Sequence, residues 1–229
     1  MPHHDGNSVE GIPPGTLPWL LGGNLAAMAG VKGQVQARGV ERRRAIVDAA
    51  IEHFSQNGYR GTAIADIAKQ AGVTTGGLLH HFGSKEALLV EVIRQRDQDA
   101  IGAVSSLEHD SLAGHFSEWL SVAVWNEERA PYVSLHAVLL TESIDPDHPA
   151  HAYFTERNRW LLGLLSNALR KGVERGELRH DFDVTTKAEE IQAFVEGAAI
   201  LWLFDPEPGG LQHRYRSYFD HQLEVLRAR

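Results

Sequence analysis

Apolar residues recur three and four positions apart along most of the chain from residue 41 onward, which places them on one face of an α-helix. Glycine, proline and small polar residues interrupt this pattern at intervals that suit helix ends. No stretch alternates apolar and polar positions as a half-buried strand would, and no segment repeats. The sequence therefore predicts an all-α fold, with helices over residues 41–57, 62–71, 74–82, 84–99, 111–128, 132–143, 150–175, 183–204 and 211–226.

The stretch after the first predicted helix has the pattern of two short helices joined by a tight turn. Thr62 stands where a helix N-cap is expected, and Gly72 stands where a left-handed residue would end the helix. Thr74 caps the second start, and Leu78 and Phe82 lie four residues apart on its inner face. The sequence therefore predicts a helix-turn-helix, which the first helix completes as a three-helix N-terminal head.

Gly76 and Gly77 fall in the first turn of the second short helix, although each disfavours a helix by about 1 kcal/mol relative to alanine. A first turn without side chains allows the positive, amide-bearing end of the helix to approach a phosphate closely. The neighbouring threonine and histidine side chains would then reach base edges or phosphate oxygens in a major groove. The alternative is that the two glycines form a loop in an ordinary helical bundle.

The run from Gly58 to Leu89 resembles the DNA-binding module of the TetR (tetracycline repressor) family of bacterial transcription regulators. The residues that match the family pattern are Gly58, Tyr59, Thr62, Ile67, Ala68, Ala71, Gly72, Val73, Thr74, Gly76, Leu78, His81, Phe82, Ser84, Lys85, Glu86 and Leu88. The family's usual tyrosine falls on Leu79, so the phosphate contact of that hydroxyl would pass to His80, His81 or Lys85.

The resemblance implies a DNA-contacting surface centred on the second helix of the motif. Thr62 and Lys85, together with the helix amides, would position the protein on phosphates. Thr75, Gly77 and His80 would face base edges. The full predicted DNA surface is Thr62, Thr74, Thr75, Gly76, Gly77, His80, His81 and Lys85.

The predicted helix at 183–204 is apolar on nearly every side, and such a helix needs neighbours in several directions. Segment 196–206 also resembles the penultimate helix of TetR-family bodies, which pairs with its copy in a second subunit. We therefore expect a homodimer, with a deep core inside one chain as the alternative. A two-fold dimer places two recognition helices about one DNA turn, ~34 to 36 Å, apart and implies a palindromic operator in double-stranded DNA.

The resemblance further implies a cavity inside each subunit that binds a small-molecule effector and shifts the spacing of the heads through the helix at 84–99. Aromatic walls with a few polar groups suit such a pocket. Each candidate is equally compatible with an ordinary core position, and the sequence leaves the effector unidentified. The candidates are Phe116, Trp119, Trp125, His136, Leu139 and Trp160.

Residues 1–38 are rich in proline and glycine and lack a sustained helical period, so we expect a flexible extension. Met28 opens a stretch that resembles the short basic lead of family members, and it is an alternative to Met1 as the translation start. The predicted helix-turn-helix domain spans 39–84. The predicted effector-binding and dimerisation domain, also helical, spans 85–229.

Charge is divided unevenly along the chain, whose formal net charge is −8. Residues 31–96 carry ten Lys and Arg against six Asp and Glu, whereas residues 97–229 carry twelve against twenty-two. A basic segment joined to an acidic one is typical of a DNA-reading head on a body that does not touch DNA. Lys32, Arg38 and the run Arg42–Arg44 form either a basic arm that touches the DNA backbone or a solvated positive stretch.

Several classes of function lack their sequence signals. The chain has no cysteine, which excludes disulfides and thiolate metal sites and is compatible with a cytoplasmic protein. The apolar stretch at 17–31 is interrupted by proline and glycine, so we expect no signal peptide and no membrane span. His148 and His151, beside Asp145 and Asp147, suggest a metal site only weakly and more often form a polar loop.

No hydrolase, zinc-peptidase or phosphate-loop motif is present, so we expect no enzyme, no metal and no cofactor. The sequence thus predicts a TetR-type regulator, more specifically a repressor that an effector releases from its operator. Two alternatives come from other classes. One is a helical adaptor that has lost DNA binding, and the other is a His/Asp metal hydrolase.

Overall fold

The computed structural model describes residues 33–104 and 109–228. Over these ranges the chain is helical with no β-strand beyond one isolated bridge between Leu178 and Arg227, which confirms the predicted all-α class. In the same ranges no helix is both long and apolar enough to cross a membrane. The nine helices of this part of the chain are α1 (Gly33–Gly61), α2 (Ile64–Gln70), α3 (Thr75–Phe82), α4 (Lys85–Ile101), α5 (Leu112–Glu127), α6 (Ala130–Glu142), α7 (His151–Glu174), α8 (Val184–Phe204) and α9 (Gly210–Leu226).

Helix α1 extends further toward the N-terminus than predicted. It begins at Gly33 rather than near residue 41, so residues 33–38 belong to a helix and not to a flexible extension. The apolar periodicity of the sequence did not indicate these helical turns, because residues 33–40 carry no apolar stripe. Residues 1–32, with the alternative start at Met28, lie outside the described residues. At the other end, Gly58 has φ 68° and interrupts the helix where the sequence predicted.

The ends of the short helices follow their capping signals with one exception. Thr74 and Ser84 each accept a hydrogen bond from the backbone amide three residues later, at 3.0 and 3.1 Å, as predicted. Gly72 has φ 66° and closes α2 in the left-handed conformation that was expected. The prediction that Thr62 caps α2 is wrong, because the N-cap position is Ala63 and no side chain caps that helix.

Buried apolar residues form two clusters. The first joins α1 to α4 with α6 and the beginning of α7, and both Phe54 of α1 and Leu139 of α6 are fully buried in it. The second lies among α5, α7, α8 and α9, where the ring of Phe116 stacks on that of Phe219 at 4.1 Å. The first cluster contains residues of both the head and the body. The packing of the head therefore depends directly on the position of α6.

A polar joint reinforces the contact between the end of α1 and the end of α6. The backbone amide of Tyr59 donates to Glu142 Oε2 at 2.7 Å, and Arg60 Nη2 donates to Asp145 Oδ2 at 2.5 Å. Gly58 permits the approach, because a Cβ at that position would collide with the Glu142 carboxylate. The head is therefore held to the body at a second place besides α4.

The histidine and aspartate residues between α6 and α7 serve this joint. His148 is buried, its Nδ1 lies 3.0 Å from Ser143 Oγ, and its ring meets the Tyr59 ring edge-on at 5.2 Å. His151 Nδ1 lies 2.8 Å from the carbonyl oxygen of Ser143. Among the described residues, no group of three or more acidic or histidine side chains is arranged to hold a metal ion. The hydrogen bonds of His148 and His151 to Ser143 are those of a polar loop.

Candidate DNA-binding surface and effector cavity

The first turn of α3 is open to solvent. Thr74, Gly76 and His80 are exposed, while Thr75 and Gly77 are half-buried. A Cβ built at Gly76 meets nothing within 4 Å, so intramolecular packing does not require a glycine there. The amide end of this eight-residue helix is accordingly available to an anion.

Thr62 does not belong to this surface. It is 3% exposed, and its hydroxyl lies 2.7 Å from the Gly58 carbonyl oxygen and 3.0 Å from that of His53. The hydroxyl proton is therefore engaged inside α1, and the side chain stabilises the junction between α1 and α2. The geometry removes Thr62 from the predicted phosphate contacts.

Two predicted residues lie at the margins of α3. His81 is half-buried, with its ring 6.5 Å from that of Phe82. Lys85 begins α4, and its Nζ lies 4.4 Å above the Tyr59 ring. Desolvation lowers the pKa of Lys85, although the carboxylates of Glu86 and Glu142 oppose that shift. The Lys85 ammonium thus rests on the Tyr59 ring of the head, and Lys85 follows the last residue of α3 by three positions.

Leu79 is an exposed residue that the sequence interpretation treated only as a lost tyrosine. Its exposed fraction is 37%, and it lies beside His80 and one turn after Thr75. An apolar side chain at this position suits contact with a thymine methyl group or a sugar rather than with a phosphate oxygen. The signal was present in the sequence, since Thr75 and Leu79 are four residues apart on a helix.

The body encloses a cavity of about 140 Å³ between α4, α5, α6, α7 and α8. Of the six predicted lining residues, Trp119, His136 and Trp160 lie in its wall. Phe116 and Leu139 do not line it, because they are buried in the two apolar clusters. Trp125 also lies elsewhere, packed edge-on against Tyr132 at 5.3 Å.

A buried charged cluster forms one side of the cavity, and the sequence did not predict it. Asp97 of α4 accepts from Arg96 Nη1 at 2.7 Å and from Arg157 Nε at 2.9 Å. Glu196 of α8 lies 2.9 Å from His136 Nε2 and 3.6 Å from Arg157 Nη1. The cluster therefore connects α4, which leads to the head, with α6, α7 and α8 around the cavity.

The ionisation of this cluster follows from its pairing. Burial by itself raises the pKa of Asp97, but the Arg157 and Arg96 guanidiniums outweigh it and hold that pKa well below its usual range. Burial likewise opposes ionisation of Glu196, yet His136 and Arg157 bring its pKa down to about 2. Desolvation lowers the pKa of His136 despite the adjacent carboxylate. Two carboxylates and two guanidiniums thus face one another in this cluster, with the His136 imidazole beside Glu196.

The Asp97→Asn variant is expected to lose about 3 kcal/mol of unfolding free energy at pH 7, because it leaves two buried guanidiniums without their shared carboxylate. A carboxyl whose pKa is lowered in the folded state stabilises the fold above its unfolded pKa of about 4 and loses that contribution as the pH falls. The difference between Asp97→Asn and wild type should therefore shrink between about pH 4.5 and pH 2. Urea denaturation at several pH values measures it.

The matched control is Asp48→Asn, which removes a carboxylate from the exposed pair with Arg44 on α1. Exposed pairs contribute less than about 1 kcal/mol, so this variant should remain close to wild type at every pH. Equal losses in the two variants would show that the buried cluster has no special role in stability.

An exposed recognition helix on a three-helix head, joined to a helical body with an internal cavity, defines a helix-turn-helix DNA-binding regulator. The sequence model of the bacterial regulatory proteins of the tetR family matches residues 46–92, which cover α2, α3 and parts of α1 and α4. The chain is 31% identical to the transcriptional repressor KstR2 of Rhodococcus jostii over 161 residues, which span 62% of this chain and 71% of that protein. The chain belongs to the TetR family and is a DNA-binding transcription regulator.

Further relatives agree over most of the chain. The transcriptional regulator TtgR of Pseudomonas putida is 29% identical over 199 residues, which cover 82% of this chain and 92% of that one. The crystal structure of TylP, a TetR regulator from Streptomyces fradiae, superimposes with a TM-score of 0.61 at 30% identity, covering 83% of this chain and 89% of that one. The similarity thus includes the helical body as well as the head.

Proposed function

We propose that this regulator is a repressor that binds a palindromic operator as a homodimer and leaves it when a small molecule occupies the cavity of the body. The observation that carries this proposal is the first turn of α3, which is open to an anion and in which no packing contact requires a glycine at position 76. KstR2, to which the chain is 31% identical over 161 residues, is itself a repressor. The proposal assigns no catalytic step to the chain and places its action at the chromosome, in the cytoplasm.

The dimer is supported by a face of α8 that the described part of the chain leaves uncovered. Ala193, Gly197, Leu201 and Phe204 recur along this face, and the last two are 62% and 83% exposed. A Cβ at Gly197 meets nothing within 4 Å, so a second helix has room to approach closely there. The opposite side of α8 is buried through Ile191 and its neighbours. Within residues 33–104 and 109–228 this apolar face remains exposed, which favours a second copy as its partner.

The route from the cavity to the head is supported by α4. Its first half packs in the head core through Leu88 and Leu89, and its last turns carry Arg96 and Asp97 of the charged cluster. A ligand that changes the packing of α4 against α7 and α8 would rotate the heads relative to each other. A dimer whose recognition helices no longer lie about one DNA turn, ~34 Å, apart would then release its operator.

Selection of genomic DNA fragments by the purified protein tests the proposal. The expected result is a palindromic site, bound with an affinity that falls steeply as salt rises, because neutralised phosphates release counterions. A helical adaptor without DNA binding would enrich no sequence, and it would show no dependence of binding on salt. A recovered site would also identify the regulated genes.

The Lys85→Ala variant should weaken binding to operator and unrelated DNA by similar factors. A lysine that meets a phosphate contributes charge without sequence information, so its loss should flatten the slope of log K against log salt by roughly one unit. Fluorescence anisotropy over a salt series measures both quantities. Lys171→Ala, which changes an α7 lysine paired with Asp110 in the body, is the control and should leave the slope unchanged. A selective loss for the operator alone would contradict a phosphate role for Lys85.

A further inference from the structure

Three buried polar atoms in the wall of the cavity have no hydrogen-bond partner within the protein. They are Arg96 Nε on α4, Asn126 Oδ1 on α5 and Gln192 Oε1 on α8. The residues are 6%, 4% and 6% exposed, so bulk solvent does not compensate them. A buried polar group without a partner carries a desolvation penalty. A bound molecule that forms a hydrogen bond with it removes that penalty. Each of the three atoms has less than 1 Å² of accessible surface, so a ligand reaches them only when these side chains turn toward the cavity, where they would offer one donor and two acceptors.

Every carboxylate in the wall of the cavity already has a partner. Asp97 is shared by two guanidiniums, Glu196 is held by His136 and Arg157, and Glu118 lies 3.2 Å from His109 Nε2. A cationic ligand would find all three carboxylates occupied, and an anionic ligand would have to draw a guanidinium away from its partner. Either ion would be desolvated without an unpaired counter-charge to meet it. The electrostatics of the site favour an uncharged molecule.

The rest of the wall is apolar and the space is small. Ile101, Val104, Leu161 and Leu164 contribute aliphatic surface, and Trp119 contributes an aromatic one. The cavity volume of about 140 Å³ is close to the roughly 150 Å³ that suffices for a benzene molecule. A single ring with a short substituent therefore matches the space.

We propose that the effector of this regulator is an uncharged molecule with a ring-sized apolar body and one hydroxyl group, which donates to the amide oxygen of Asn126 or Gln192 and accepts from Arg96 Nε. This inference rests on the proposed function, in which a ligand of the cavity controls DNA release. The three unpaired atoms belong to α4, α5 and α8, so such a molecule would link the helix that leads to the head with the helix that carries the dimer face. Its hydroxyl would then contact α4, the helix through which the proposed change reaches the head.

Binding of four matched probes to the purified full chain tests the chemistry. Benzyl alcohol carries the hydroxyl, toluene lacks it, benzoate is an anion and benzylammonium is a cation. Titration calorimetry gives the affinities, and quenching of tryptophan fluorescence reports occupation because Trp119 and Trp160 line the cavity. Benzyl alcohol should bind at least about tenfold more tightly than each of the other three.

Substitutions locate the contact. Asn126→Leu and Gln192→Leu remove one acceptor each, and at least one of them should weaken benzyl alcohol binding about tenfold while leaving toluene binding unchanged or improved. Gln222→Leu is the matched control, since Gln222 Oε1 is also buried and unpartnered but does not line the cavity. This variant should bind both probes as wild type does. Circular dichroism checks that each variant folds, and the comparison of probes on wild type stands without the variants.

Failure of this inference is distinguishable from failure of the proposed function. Equal binding of toluene, tight binding of either ion, or no binding of any probe would overturn the effector class, while operator binding by the same preparation would leave the regulator intact. Preferential binding of benzyl alcohol by a protein that binds no DNA would support the chemistry of the cavity and overturn the regulatory function.

Discussion

Replacing Gly76 with leucine is expected to abolish operator binding and, at the same time, to make the head slightly more stable. The side chain would project from the open first turn of α3, where a Cβ meets nothing, and would keep the helix amides from the phosphates and bases. Operator affinity should fall by at least about hundredfold, equivalent to ~2.7 kcal/mol. Removing an exposed helical glycine should raise the unfolding free energy by roughly 0.5 kcal/mol. Anisotropy and urea denaturation measure the two effects, which have opposite signs.

Gly163→Leu is the matched control, because Gly163 is also an exposed helical glycine with open space around it but lies on α7 in the body. It should give a similar gain in stability and leave operator affinity unchanged. Gly77→Leu is less clean, since a Cβ there would approach Thr74 Oγ1 to 3.2 Å and disturb the cap of α3. Normal operator affinity in Gly76→Leu would remove the first turn of α3 from the DNA interface and with it the main support for the proposal.

The double variant Leu201→Glu with Phe204→Glu is expected to be a folded monomer that binds operator DNA only weakly. Both side chains are largely exposed on α8 of the single chain, so the substitutions cost the subunit little. In a dimer, however, carboxylates would be buried without partners and would repel their copies across the two-fold axis. Losing the second head removes the gain from simultaneous binding, which is worth about 10²- to 10⁴-fold in affinity.

Ile144→Glu is the control for this variant. Ile144 is 77% exposed, comparable to Leu201 and Phe204, but it lies in the loop between α6 and α7, away from the exposed face of α8. It should remain a dimer with normal operator affinity. Sedimentation equilibrium gives the mass and anisotropy gives the affinity. A double variant that still forms a dimer would place the subunit interface on another surface.

The helices were predictable from local signals. The described residues show where those signals were sufficient and where they failed. Thr74, Ser84 and Asp183 cap helices because their side-chain oxygens meet amides three residues away. That contact depends on nothing distant in the chain. The same rule failed at Thr62, whose hydroxyl donates instead to carbonyl oxygens of His53 and Gly58 near the end of α1. A predicted capping residue can thus be engaged by the helix that precedes it.

The cavity was only partly predictable. Aromatic residues of the body appeared equivalent in the sequence, yet Trp119 and Trp160 line the cavity, whereas Phe116 stacks in the core. The charged run at 94–99 gave no signal of burial, because charged residues are seldom buried. Arg96 and Asp97 are nevertheless buried, and Asp97 pairs with Arg157, sixty residues further along the chain. No local sequence pattern predicts an ion pair between residues so far apart in the chain.

The sequence by itself determined the helical class, the helix-turn-helix with its glycine-bearing recognition helix, and the family, since all three depend on residues close together in the chain. Only the tertiary structure decided which side of α8 remains uncovered, which aromatic residues meet the cavity, and how two carboxylates and two guanidiniums neutralise one another inside it. The physical reason is that burial and ion pairing depend on which helices become neighbours. Periodicity shows that a helix has an apolar face, but only packing selects the surface that covers it.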